Sequence, residues 1–342
     1  MVKVAMIGLG GMGNYHADAL SKLPNVQIVG VCDLVEEKAR KLSEKLGGVP
    51  WTLDYHDLLD SCEAVWVCTE PFNRLDIVTT AAQEGKHIFT EKPIARSLKD
   101  ADKMIHAARK AGVKYMLGYC LRFWNPYKYM HDSLVGGELG DLVNCYTRRY
   151  MPVDMSHCWY GWHEKSGGAT LDFASHDVNW LHWMGGDVAT VFAKTYTVRA
   201  TMHADEHVQA MFLFKNGGMG THDDSWSSWV GESAIGVIGT KGGIAVDRSG
   251  QVRKFLAAEG KETIVDIEAA IAIDPSGNVG KKDSSGKIQK VTPKNETIQE
   301  HFFRCIEEDL EPITPAADGR KTLEIVHAIW KSTKTGQAVH LK

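Results

Sequence analysis

Val2-Lys3-Val4-Ala5-Met6-Ile7, running into Gly8-Leu9-Gly10-Gly11-Met12-Gly13, is the stretch that decides the fold. The first six residues are apolar and partly β-branched, too few for a helix, and read as a buried strand. The next six fit G-x-G-x-x-G. A helical pattern follows at His16, Ala17, Ala19, Leu20 and Leu23 and stops at Pro24. A second apolar run, 26–32, ends on Asp33, twenty residues past Gly13. In such a unit the first glycine allows a tight turn and the second lets backbone approach a pyrophosphate. The third permits close packing of helix on strand. The helix N-terminus offers N–H groups and a positive dipole end to the phosphates. An acid at Asp33 accepts hydrogen bonds from an adenosine ribose diol and repels a 2′-phosphate. Leu34 follows it, with no Ser-Arg pair to hold such a phosphate. A glycine-rich turn alone would be weak ground. Strand, helix and acid together make residues 8–13, Asp33 and Leu34 a dinucleotide cradle, and the cofactor expected is NAD.

Outward from this unit, strand and helix keep alternating: helices over 36–46, 54–59, 75–84 and 97–110, strands over 49–53, 64–69, 86–90 and 113–119. The pattern predicts a parallel, doubly wound sheet over residues 1–120. Ligands of such a sheet sit at the carboxyl ends of its strands, where Thr69, Glu91 and Lys92 lie. From 121 to 342 the texture changes. A helix over 125–134, a strand over 142–150 and a Trp- and His-rich helix over 168–184 come first. Short strands then recur at 191–199, 208–214, 219–226, 234–238 and 244–246, predicting one large, mostly antiparallel open sheet. Residues 276–287 read as a polar hairpin tip or loop, and helices near 296–308 and 318–335 finish the chain. The fold class expected is α/β followed by α+β, in two domains, 1–120 and 121–342.

With 342 residues, 44% hydrophobic and 24% charged, the chain has the composition of a globular protein able to bury a large core. Its net charge of −4, without a basic block, argues against nucleic acid or an anionic membrane as partner. No apolar run approaches a membrane span, and the first strand leaves no room for a signal peptide. The seven cysteines are scattered and never form C-x-x-C. Reduced thiols in a cytoplasm are expected, with neither a disulfide framework nor a thiolate zinc site.

A second group of residues carries chemistry: Gly167-Gly168, then Asp172, His176 and Asp177. On a helix Asp172 and His176 stand at i and i+4 and share a face. A carboxylate beside an imidazole orients it and stabilises its charged form. Any isolated Asp-x-x-x-His is usually a surface pair, but two glycines ahead of it permit close approach of a backbone or ligand. Among fifteen histidines, His176/Asp177/His182 and His222/Asp223/Asp224 have no recognisable ligand frame, so no metal is expected.

Gly8-x-Gly10-x-x-Gly13, then Glu91-Lys92-Pro93, then Gly167-Gly168 with Asp172-x-x-x-His176, resemble the glucose–fructose oxidoreductase/inositol dehydrogenase family (Gfo/Idh/MocA) in order and spacing. The resemblance covers nearly the whole chain. It implies an N-terminal Rossmann domain, a C-terminal open-sheet domain with the nicotinamide between them, and Lys92, Asp172 and His176 as the catalytic group. By that resemblance the protein is an NAD-dependent oxidoreductase acting on a secondary alcohol of a sugar, glycoside or cyclitol. His176 would take the hydroxyl proton while hydride leaves the carbinol carbon, Lys92 would polarise the oxygen, and Asp172 would orient the histidine. Relatives that retain NAD and pass through a 3-keto sugar need the same group and are the alternative. Non-catalytic sugar or dinucleotide sensors do not need it. Residues 118–125 resemble the family's interdomain segment, which makes Arg122 a candidate fork donor to substrate. His157 and Trp162, upstream of the glycine pair, and Asn179, past His176, are the other substrate candidates. The Lys92-Pro93 bond is a candidate cis peptide. Two positions depart from the family pattern: Arg74 stands where a histidine is common, and Ala169 where a third glycine often follows. In the family the uncovered face of the open sheet often pairs with another subunit, which implies a homodimer or tetramer.

Overall fold

The computed structural model describes residues 1–267 and 296–342, so the polar tip expected at 276–287 lies outside the described residues. The chain divides into two compact units, Met1–Tyr119 with Thr297–Leu323, and Cys120–Glu296 with Glu324–Lys342.

The first unit is built from β1 (Val2–Ile7), α1 (Gly11–Leu20), β2 (Val26–Cys32), α2 (Glu36–Lys45), β3 (Trp51–Thr52), α3 (His56–Leu59), β4 (Ala64–Val67), α4 (Arg74–Gln83), β5 (His87–Thr90), α5 (Leu98–Ala111) and β6 (Tyr115–Leu117). Its sheet is parallel, in the order β3-β2-β1-β4-β5-β6. Both faces of such a sheet are covered by crossover connections, which is why β1 and β4 are nearly unbroken apolar runs. Strand order reverses between β1 and β4, and the crevice at their carboxyl ends is where a doubly wound sheet takes its ligand. Gly8 follows one of these strands and Thr69 the other.

One face of this sheet is closed by the far end of the chain. The helix at Ile298–Glu307 opens on a capping box, Thr297 with Glu300, and buries Phe302 and Phe303. Trp66 of β4 stacks on Phe89 of β5 at 3.7 Å between ring centroids, and Phe302 meets both edge-on at 5.5 and 5.9 Å. Each phenylalanine so buried contributes roughly 1.5–3 kcal/mol.

The second unit contains α6 (Asn125–Val135), β7 (Leu142–Tyr150), α7 (His163–Ser166), a π-helical turn at Ala169–Phe173, and α8 (Ser175–Gly185). After these come β8 (Val188–Tyr196), β9 (His207–Phe214), β10 (Met219–Ser225), β11 (Glu232–Gly239), β12 (Gly242–Val246), β13 (Val252–Leu256), β14 (Lys261–Val265) and β15 (Val339–His340). They form one sheet, β14-β13-β12-β11-β7-β10-β9-β8-β15. Every pairing is antiparallel except β7 with β10 at its centre. Burial alternates along β9, and its inward side chains Val208 and Phe212 share a core with Val178, Trp180 and Leu181 of α8.

Two expectations change. The single helix expected over 168–184 is a π turn followed, after Ala174, by α8. The expected strand series extends further, to β13, β14 and β15. Among the described residues no helix is long and apolar enough to cross a membrane.

Candidate active site

In the first unit the glycine loop is held shut by its neighbours. A side-chain carbon on Gly13 would fall 2.2 Å from the Gly8 carbonyl oxygen, so only glycine lets α1 press against the loop. Asn14 donates to the carbonyls of Leu9 at 2.8 Å and Gly10 at 2.9 Å. Asp33 accepts from the Leu9 N–H at 2.7 Å and the Val35 N–H at 2.9 Å. A carboxylate has about four lone-pair sites, so capacity remains for a ribose diol. Around Gly10 and Gly11 an added carbon would meet nothing within 4 Å, and no side chain caps the start of α1. Open space before uncapped N–H groups fits a pyrophosphate. Leu34, beside Asp33, is 84% exposed. Asp33→Ser should therefore weaken NAD about tenfold or more and narrow the margin over NADP. Fluorescence titration with both dinucleotides checks this, and an unchanged ratio would remove Asp33 from the ribose.

Next to the loop, Arg74 at the start of α4 is wholly buried. Its Nε and Nη2 donate to the Thr69 carbonyl at 2.9 and 2.5 Å, and its Nη1 donates to the carbonyls of Glu91 and Pro93. The departure from the family pattern thus has a structural reason, because one guanidinium ties the ends of β4 and β5 together. The Glu91 carboxylate accepts the Lys92 N–H at 3.0 Å and lies 2.8 Å from His16 Nε2, while Gln299 reaches His16 Nδ1 at 2.9 Å. Burial pushes the Glu91 carboxyl up. The His16 hydrogen bond and the charges of His16, Lys92 and Arg74 pull it down and prevail. Lys92, half-buried, precedes a cis peptide bond to Pro93. Its backbone is thus fixed by Glu91 on one side and by carbonyls gripped on both. His16, Gln299 and the bracing by Arg74 are not legible in the sequence. A buried histidine in a helical pattern looks like any core residue until its partners are known.

In the second unit Gly168 has φ +70°, and a side-chain carbon there would meet Asp205 Oδ1 at 2.5 Å. Asp205 accepts from the Thr170 N–H at 2.9 Å and from the Thr170 hydroxyl, and its own carbonyl accepts the Ala169 N–H at 2.8 Å. Pinned this way, the chain winds wide, Ala174 N–H bonding the Ala169 carbonyl five residues back at 2.8 Å. Asp172 therefore lies in the π turn and His176 in the first turn of α8, both half-buried. They are not on one continuous α-helical face. His176 Nδ1 is 3.9 Å from Cys120 Sγ. Arg122 and Asn179 are brought together, Nε donating to Oδ1 at 3.1 Å, and both are buried, with Arg122 over the Trp183 ring. Trp162 stacks on His203 at 4.2 Å and His157 is exposed. Among the described residues no three His, Cys, Asp or Glu side chains are placed to hold a metal ion.

Residues 2–119 match the family model described as the oxidoreductase family with NAD-binding Rossmann fold, and residues 127–245 match the Gfo/Idh/MocA C-terminal domain. The chain belongs to the Gfo/Idh/MocA oxidoreductase family. Its cofactor is NAD, held by the Rossmann unit. A myo-inositol 2-dehydrogenase of Thermotoga maritima is 26% identical over 100% of this chain and 99% of its own. A scyllo-inositol 2-dehydrogenase (NAD(+)) of Bacillus subtilis is 25% identical over 99% and 96%. A crystal structure of an oxidoreductase from Agrobacterium radiobacter, in complex with NAD+, L-tartaric acid and magnesium, shares the fold, with a TM-score of 0.84 at 21% identity, covering 99% of this chain and 98% of that one. Within the Gfo/Idh/MocA frame, Lys92 belongs to the first unit and Asp172, His176, Arg122, Asn179, Trp162 and His157 to the second.

Proposed function

We propose that this protein is an NAD-dependent dehydrogenase oxidising a secondary alcohol of a cyclitol, sugar or glycoside, with inositol-like polyols the first class to test. The supporting observation is that the likeness to both inositol dehydrogenases runs through both units and does not stop with the cofactor half. NAD supplies the hydride acceptor. His176, with Nδ1 turned to Cys120, takes the hydroxyl proton on Nε2. Lys92 presents an ammonium to the oxygen as negative charge develops there. Asp172 orients the imidazole and balances its charge once protonated. Arg122, Asn179, Trp162 and His157 are assigned to recognising the substrate.

Seven cysteines without a disulfide suit a cytoplasmic protein. On the outer face of the nine-stranded sheet Phe192, Met211, Leu213 and Met219, on the neighbouring strands β8, β9 and β10, and Ile238 on β11 beyond β7 are each 41 to 51% exposed. Beside them a depression of about 490 Å³ is lined by Arg148, Lys194 and Asp223. An apolar patch with both signs of charge is suited to a second copy of itself across a two-fold axis.

The deciding experiment follows reduced-nicotinamide absorbance of the purified protein with NAD and a panel of inositols, sugars and glycosides. Sedimentation of the same sample gives the oligomeric state. Catalytic accumulation of reduced cofactor with one class is expected. Absorbance appearing once per enzyme without added NAD would favour a retained cofactor, and no response to any panel member would sink the dehydrogenase reading.

A further inference from the structure

Behind the π turn that carries Asp172 and the start of α8 that carries His176, the second unit buries a cluster of charge that the proposed reaction does not use. Arg149, on the central strand β7, donates from Nη2 to the Phe173 carbonyl at 2.7 Å and to the Asp177 carboxylate. Its guanidinium also lies over the Phe173 ring, 3.9 Å from the centroid. Phe173 is the residue after Asp172, and Asp177 is the residue after His176. One side chain thus grips the chain immediately behind each of the two groups.

The carboxylates around it are almost wholly enclosed, while the Arg149 side chain keeps 27% of its surface exposed. Asp224 of β10, wholly buried, lies 3.7 Å from the same Nη2 and 3.6 Å from His222 Nε2. His222 is fixed through Nδ1 to Thr147 Oγ1 at 2.9 Å. Burial pushes Asp177 up to about 7 and Asp224 up to about 6, the guanidinium pulling both back, and burial pushes His222 down to about 4. Asp223 of β10, His207 of β9, Tyr127 of α6 and Cys120 are the other ionisable groups near enough to act on them through their charge. Burying such a group stabilises a protein little, because desolvation offsets the attraction and a well-packed apolar set would often do as well. What a planar fork supplies is fixed geometry.

We propose that Arg149 is a positioning residue, setting the π turn against α8 so that Asp172 and His176 keep their spacing and aim. The proposal rests on the reading of His176 as proton acceptor. It is tested in the full-length protein with Arg149→Lys, which keeps the charge and loses the fork. Asp177→Ala, which leaves Arg149 a second carboxylate at Asp224, is the second variant. The readouts are the carbon-13 histidine NMR titration of His176, assigned through His176→Gln, and kcat and KM with whichever polyol the panel yields. Both variants are expected to move the His176 midpoint by about 0.3 pH unit or more. Each should lower kcat roughly 10- to 100-fold with KM for NAD within about twofold. An unfolding midpoint unchanged or raised in Asp177→Ala, beside the lost kcat, separates positioning from mere support. A His176 titration and a kcat matching the parent in both variants would overturn the proposal. The titration needs no substrate. A parent protein that turns over no polyol would therefore end the functional reading while the positioning test still gives its own answer.

Discussion

His176→Gln should lower turnover by roughly 10²- to 10⁴-fold while leaving NAD affinity within about twofold. Glutamine is close to histidine in size and can still hydrogen-bond, but it cannot take a proton near neutral pH. The substitution therefore isolates proton transfer from packing. The residue sits half-buried in the first turn of α8, in the second unit, whereas the glycine loop belongs to the first. In the parent, kcat should rise with pH as the imidazole loses its proton, because the base form is the active one. The variant should lose that limb. A kcat within about tenfold of the parent, with the limb still present, would place the proton elsewhere.

The second large effect is on stability. Arg74→Met should destabilise the Rossmann unit by roughly 3–5 kcal/mol, because it leaves the carbonyls of Thr69, Glu91 and Pro93 buried without their donor. Arg74→Lys should lose nearly as much, since a single ammonium cannot span carbonyls at two strand ends. With two units the unfolding is not two-state, so hydrogen exchange of β4 and β5 is the better measure. The deficit should shrink in acid. Glu91 is held below its ordinary value of 4.5 in the folded state, partly by Arg74. A depressed carboxyl contributes stability above its unfolded pKa and loses it as pH falls through the folded one. In the variant that contribution is smaller, so the two proteins converge as Glu91 is protonated. Exchange rates matching the parent would show that Arg74 carries no such load.

Much of this is legible in the residues, for local reasons. The cradle is readable because its glycines, helix and acid lie within one short unit, and a parallel sheet follows from the alternation of strand and helix. The catalytic candidates are readable as motifs, but their geometry is not. A shared i,i+4 face requires an α-helix, whereas Asp205, some thirty residues on, winds the segment as a π turn. Arg149 and His222 sit in alternating strands like any half-buried residues, and only the sheet register brings β7 beside β10. Arg74 is visible as a departure, yet its three acceptors are backbone carbonyls, which no side-chain pattern announces. Likewise nothing in residues 298–307 says which unit they complete.

Completion by so late a segment governs how the chain matures on the ribosome. The stacked pair of Trp66 and Phe89 is made early, but the phenylalanines that cover it belong to a helix synthesised only after most of the second unit. At roughly 5–20 residues per second the nascent sheet stays bare on that face for many seconds while the second unit is translated. Stalled or prematurely terminated chains expose an aromatic surface to proteases and holdase chaperones, and a complete chain withdraws it.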